Sequence, residues 1–146
     1  VRFEESAHPV TVNVRVGSAL PITGTAFGRV FAAWPRSAAV GELAAAELGA
    51  IADPAERKAA QADFEEAIAR VRERGLARIQ GLLLPGVSVL AAPLFDHSGQ
   101  LAGAIAVVGH QAAMDVRWSG PVAAALAETA RAVSAALGEA AADATG

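Results

Sequence analysis

The chain has 146 residues, 53% of them hydrophobic and 18% charged, with 12 basic against 15 acidic side chains and a net charge of −3. A chain of this size makes a single domain over residues 1–146 and buries roughly 70% of its unfolded surface, so neither disulfides nor a structural metal is needed to hold it together. Cysteine is absent, which excludes thiolate metal sites and redox centres, and no stripe of Lys or Arg exists that could track phosphates, which argues against DNA binding by the domain itself.

The opening "VRFEESAHP" has neither a basic start nor an apolar signal core, so a cytoplasmic protein is expected. It begins without methionine and runs directly into strand-like sequence, as a segment of a longer protein would. "VTVNVRVG" alternates Val10, Val12, Val14 and Val16 against Thr11, Asn13 and Arg15, the period of a half-buried strand. A helix follows "LPITGT", with Thr23 or Thr25 as its cap, an apolar face of Ala26, Phe27, Val30, Phe31 and Trp34, and Pro35 as its stop. Gly24, Gly28 and Ala32 form a second stripe of small residues. A glycine inside a helix costs about 1 kcal/mol relative to alanine, so Gly28 predicts the close approach of another backbone or a ligand.

"VGELAAAEL" predicts a short helix, and a longer one starts at Asp53 as N-cap with Pro54 at its first position and ends at Gly75. Its buried stripe is Phe64, Ile68 and Val71, while Glu66 and Arg70 lie one turn apart on the wet side. A strand is expected from Leu76 to Leu84, then a hairpin from Gly86 to Gly109, then an amphipathic helix marked by Val122, Leu126, Thr129, Val133 and Leu137. The uncharged run from Ile79 to Phe95 is interrupted by Gly81, Pro85, Gly86 and Pro93 before it could cross a bilayer. No membrane association is expected.

On the outgoing hairpin strand, Val87, Val89 and Ala91 share one face and Ser88, Leu90 and Ala92 the other, so both faces are covered by helices. On the return strand Leu101, Ile105 and Val107 form a bulky face, and Ala102, Ala104, Ala106 and Val108 a slim one. A slim column accommodates either a close-packed helix or a cavity. The expected fold class is therefore α+β, a mainly antiparallel sheet with helices on both faces.

No constellation for catalysis, cofactor or metal binding is present. His8, His97 and His110 lack metal-ligand spacing, no serine lies in a G-x-S-x-G elbow, and no glycine run resembles a phosphate loop. His97 reads as a solvated loop residue and Asp96 as the cap of its own "DHSG" turn. Trp34 and Trp118 read as core or interface aromatics. The chain is not expected to be an enzyme.

Two separated stretches, "RVGSALPITGTAFGRVFAAW" and "GVSVLAAPLFDHSGQLAGAIAVVG", resemble the C-terminal effector-binding domain of the IclR family of bacterial transcription regulators. The residues that carry the resemblance are Gly17, Leu20, Pro21, Thr25, Ala26, Gly28, Arg29, Ala91 to Asp96, Gly99 and Gly109. It implies a GAF-like fold and a small-molecule effector. It also implies an upstream winged helix-turn-helix DNA-binding domain that this sequence lacks, homodimers or tetramers, and DNA contact only through that missing domain. Effector-binding positions carried over by the motifs are Thr25, the amides of Ala26 and Phe27, and the side chains of Ile79, Val89, Ala106 and Val108, flanked by Leu20 and Val87. Where carboxylate-sensing relatives would place an Asp, a Cys and two Ser, this chain has four apolar residues. The resemblance thus implies an apolar or aromatic effector, such as a monocarboxylate whose charged end meets the helix start. The alternative is a dimerisation module whose pocket has collapsed into core.

Overall fold

The computed structural model describes residues 19–81 and 85–143. The strand predicted over 10–16, His8, residues 82–84 of the next strand and the last three residues lie outside these. Three helices come first: α1 (Ala26–Ala33), α2 (Ala38–Gly49) and α3 (Pro54–Arg74). The strands β1 (Ala77–Gln80), β2 (Val87–Phe95) and β3 (Leu101–His110) follow, and α4 (Pro121–Asp143) ends the chain. The described strands make one antiparallel sheet in the order β1-β2-β3.

Local chemistry explains the boundaries. Thr25 caps α1 by accepting from the Gly28 amide at 2.9 Å, and Asp53 caps α3 by accepting from Ala55 and Glu56 at 2.7 and 3.0 Å. Gly75 ends α3 in the left-handed region at φ 69°, a conformation that favours glycine. Asp96 closes its own turn, as its pattern predicts, by accepting from the amides of Ser98 and Gln100 and from the Ser98 hydroxyl. The hydroxyl bond, with those amide bonds and Arg36 nearby, holds its carboxyl below the usual range against a smaller opposing effect of desolvation.

The two faces of the sheet hold two separate apolar cores. Ala26, Val30 and Ala33 of α1 join Val71 of α3 over Ala77, Ile79, Ala91 and Leu101. On the opposite face Ala123, Leu126 and Ala130 of α4 pack on Leu76, Leu90 and Ala92. Helices therefore cover both faces, as the doubly apolar β2 requires.

Two details differ from the sequence reading. Leu101 belongs to the α1 face, away from Ile105, which packs on the α4 side. The cause is a register shift at the end of the hairpin, where Leu94 pairs with Gly103 but Phe95 pairs with Leu101, leaving Ala102 as the extra residue of a bulge. Phe31 lies out at 36% exposure while Ala33 is buried, because α1 rests on the sheet along Ala26, Val30 and Ala33. Trp34 is a core aromatic: it packs on the α1-face core and meets Phe95 edge-on, ring centroids 5.3 Å apart.

Candidate functional site

Gly28 shows how the start of α1 is built. A Cβ there would stand 2.1 Å from the carbonyl oxygen of Ile22, so the loop before α1 crosses directly over the helix, the backbone approach that a helix-interior glycine predicts. The loop is then held from outside by Glu47 of α2, whose carboxylate accepts from the amides of Ile22 and Thr23 at 2.7 and 2.9 Å and from the Thr23 hydroxyl at 2.7 Å. Desolvation pushes the Glu47 carboxyl up, but these bonds outweigh it and set it below its ordinary value. Nothing local marks Glu47 in the sequence, since its partners are 24 and 25 residues away.

The Thr25 hydroxyl is already committed, donating to the Pro21 carbonyl at 2.6 Å while accepting from Gly28. Thr25 is thus the cap that shapes the site. The next two amides, those of Ala26 and Phe27, meet no acceptor among the described residues. They are the open donors of a helix N-terminus.

Register brings the remaining candidates together. Ile79 pairs with Val89 and Val89 with Val108, so the three form a row across the sheet. Ala77, Ala91 and Ala106 form the row beside it, and Val89, Ala106 and Ile79 all pack in the α1-face core. The far end of α1 is fixed at the other end of the hairpin, where Trp34 meets Phe95 and Arg36 donates to the Leu101 carbonyl at 3.3 Å. The first turn of α1 reaches β1, where Arg29 meets the Arg78 carbonyl at 3.5 Å.

Eight residues make α1 only about 12 Å long, whereas the nine residues of β2 span about 30 Å. Among the described residues the helix covers only part of its face. Ala77 and Ala91 are fully buried, while Val87 and Val89 are half-buried and Val108 is 37% exposed. Leu20 stands at the rim, 38% exposed. Ile79, Val89 and Val108 thus make an apolar row with no titratable side chain among them, and the two open amides stand at the start of α1. Among the described residues no group of His, Asp or Glu could hold a metal ion.

Residues 2–135 match the sequence model of the bacterial transcriptional regulator IclR C-terminal family. The chain belongs to the IclR family. Among solved structures, HmgR of Pseudomonas aeruginosa is 40% identical, with a TM-score of 0.77 over 92% of this chain and 52% of its own. The Agrobacterium tumefaciens repressor BlcR, at 24% identity and a TM-score of 0.68, covers 86% of this chain and 51% of its own. IclR of Thermotoga maritima, at 19% and 0.70, covers 92% and 54%. The last two show the shared fold alone. This chain thus spans about half the length of these solved IclR relatives. None of the curated proteins compared with it matches. The α+β, GAF-like fold and the family of transcription regulators implied by the sequence motifs are both upheld, and no described helix is long and apolar enough to cross a membrane.

Proposed function

We propose that this IclR-family domain is a non-catalytic sensor whose effector lies against the uncovered end of the α1 face. Ile79, Val89, Ala106 and Val108 form the wall, Val87 and Leu20 the rim, and the Ala26 and Phe27 amides the polar end. What supports this is the length mismatch between α1 and the strand beneath it, which leaves apolar surface beside two open donors. An aromatic or aliphatic monocarboxylate matches the arrangement, since amides at a helix start favour an anion and the apolar row favours its body. Occupancy would bias two arrangements of the domain by the difference in the effector's affinity for them. A winged helix-turn-helix domain of the same regulator would report that bias at DNA. Assembly is as a homodimer or tetramer in the cytoplasm.

Ala106→Asp tests the assignment. A half-buried carboxylate at an open wall stays hydrated, so the variant should keep its circular dichroism and lose at most about 1 kcal/mol, while no longer being stabilised by an effector. In the parent protein an effector at a hundred times its dissociation constant should add about 2.7 kcal/mol. An unfolded Ala106→Asp, or a parent that no candidate effector stabilises, would favour a dimerisation module with a collapsed pocket.

A further inference from the structure

A second concavity runs along the edge of β1 that no described strand pairs with. Residues of both sheet faces line it together with α1 and α3, around a volume of about 330 Å³. Val71 and Ile79 supply apolar surface, Arg29, Arg70 and Arg78 supply charge, and Trp118 supplies an aromatic ring. Arg70 is paired with Glu66. Among the described residues neither Arg29 nor Arg78 has a carboxylate within ion-pair distance. Arg78 donates to the Val116 carbonyl at 3.0 Å and lies over the Trp118 ring at 4.3 Å. Among the described residues Arg29 reaches the carbonyls of Thr23 and Arg78, at 3.4 and 3.5 Å. Burial draws its pKa down, and Asp63 offsets that effect only in part and from beyond contact.

Each of these two guanidiniums spends one or two of its five donors on neutral carbonyls and keeps the rest of a fork that suits a carboxylate. A partly buried cation without a counter-charge is costly, and the groove supplies room for one. We infer that this groove is a second ligand site, for an organic anion whose carboxylate meets Arg29, Arg70 and Arg78 and whose apolar body rests on Val71, Ile79 and Trp118. Inorganic phosphate alone would leave the apolar surface unused, and a nucleic-acid backbone would need a longer basic track than three arginines on a chain of net charge −3 provide. Ile79 borders both sites, but the arginines and Trp118 belong to the groove alone, so variants at the arginines test it separately from the α1-face assignment.

With Trp34→Phe as background, Trp118 is the one remaining tryptophan of the chain's two, and its fluorescence reports on the groove. Titration of the intact chain with benzoate should give a saturable change. Arg29→Gln and Arg78→Gln should each weaken it about tenfold or more. Arg70→Gln, whose side chain holds no main-chain group, should weaken it about threefold with an unchanged melting curve, which keeps the test valid if the other two variants misfold. Lys58→Gln removes an exposed charge outside the groove and should leave the titration as it was. The proposal is overturned by an absent or unsaturable benzoate response, by equal affinity in Arg70→Gln, or by inorganic phosphate binding as tightly as benzoate.

Discussion

The two faces of the sheet are covered by helices of very different reach. On one, α4 has 23 residues and extends about 35 Å, enough to follow the whole of β2; Ser134, just past its middle, accepts from the Phe95 amide at 3.0 Å. Ser88, Leu90 and Ala92 beneath it are all at most 1% exposed. On the other face α1 stops short, and the same strand's Val87 and Val89 remain half-buried. Neighbouring residues of one strand thus live in a sealed core and in an open wall. In the proposed reading, room for a ligand would come from a short helix over a long strand, without chemistry-bearing side chains to make it.

Adjacent truncations should expose that contrast most strongly. Leu90→Ala removes a fully buried side chain and should cost about 3–4 kcal/mol in chemical denaturation. Val89→Ala, one residue away, should cost about 1 kcal/mol or less, since its side chain is only partly withdrawn from water. Equal losses would mean that the α1 face is sealed as well as the α4 face.

A smaller effect should follow from Glu47, which holds the loop that shapes the open end. Glu47→Gln keeps the shape but loses the charge on the acceptor, and after solvent screening the loss should be about 1 kcal/mol at neutral pH. The folded carboxyl titrates below its ordinary value, so its contribution is present above the unfolded pKa of about 4.3 and disappears as pH falls through the lower folded value. The variant's stability should therefore approach that of the parent in acid. A gap that stays constant from pH 7 to pH 3 would show that the charge of Glu47 carries none of it.

The smallest change concerns the sealed face itself. The Ser88 hydroxyl is fully buried and meets no partner among the described residues. Ser88→Ala should therefore raise stability slightly, by roughly 0.5–1 kcal/mol, with the fold unchanged. A loss of stability would reveal a polar partner on that face and weaken the contrast with the α1 side.

Much of this was legible in the residues. Alternation along β2 gave its two covered faces, Asp53, Pro54 and Gly75 marked the ends of α3, and Gly28 announced a close approach. Those signals are local, because backbone conformation at one or two positions dictates them. The rows that gather Ile79, Val89 and Val108 needed pairing register, which the motif spacing conveyed only through resemblance. What escaped was non-local. The bulge at Ala102 shifted Leu101 to the other face, the seating of α1 exchanged Phe31 for Ala33, and the hold of Glu47 on Ile22 and Thr23 joins segments with no sequence signature between them. The three arginines of the β1 edge come from three separate elements, so no window of sequence displays them as a group.

The extra residue at Ala102 also divides the hairpin by its tolerance of length changes. In the turn from Asp96 to Gln100 a lost or added residue alters only an exposed connection. Within β3 beyond the bulge the same event would exchange every inward and outward side chain up to His110, sending Ile105 toward α1 and Ala106 toward α4. Deletion of Ala102 itself is the one exception in the strand, since it would remove the bulge and leave Leu101 opposite Phe95 on the α1 face in regular alternation. Homologous chains that differ in length around this hairpin should therefore place the difference in the turn or at the bulge, and the wall of the open face should keep its register in both cases.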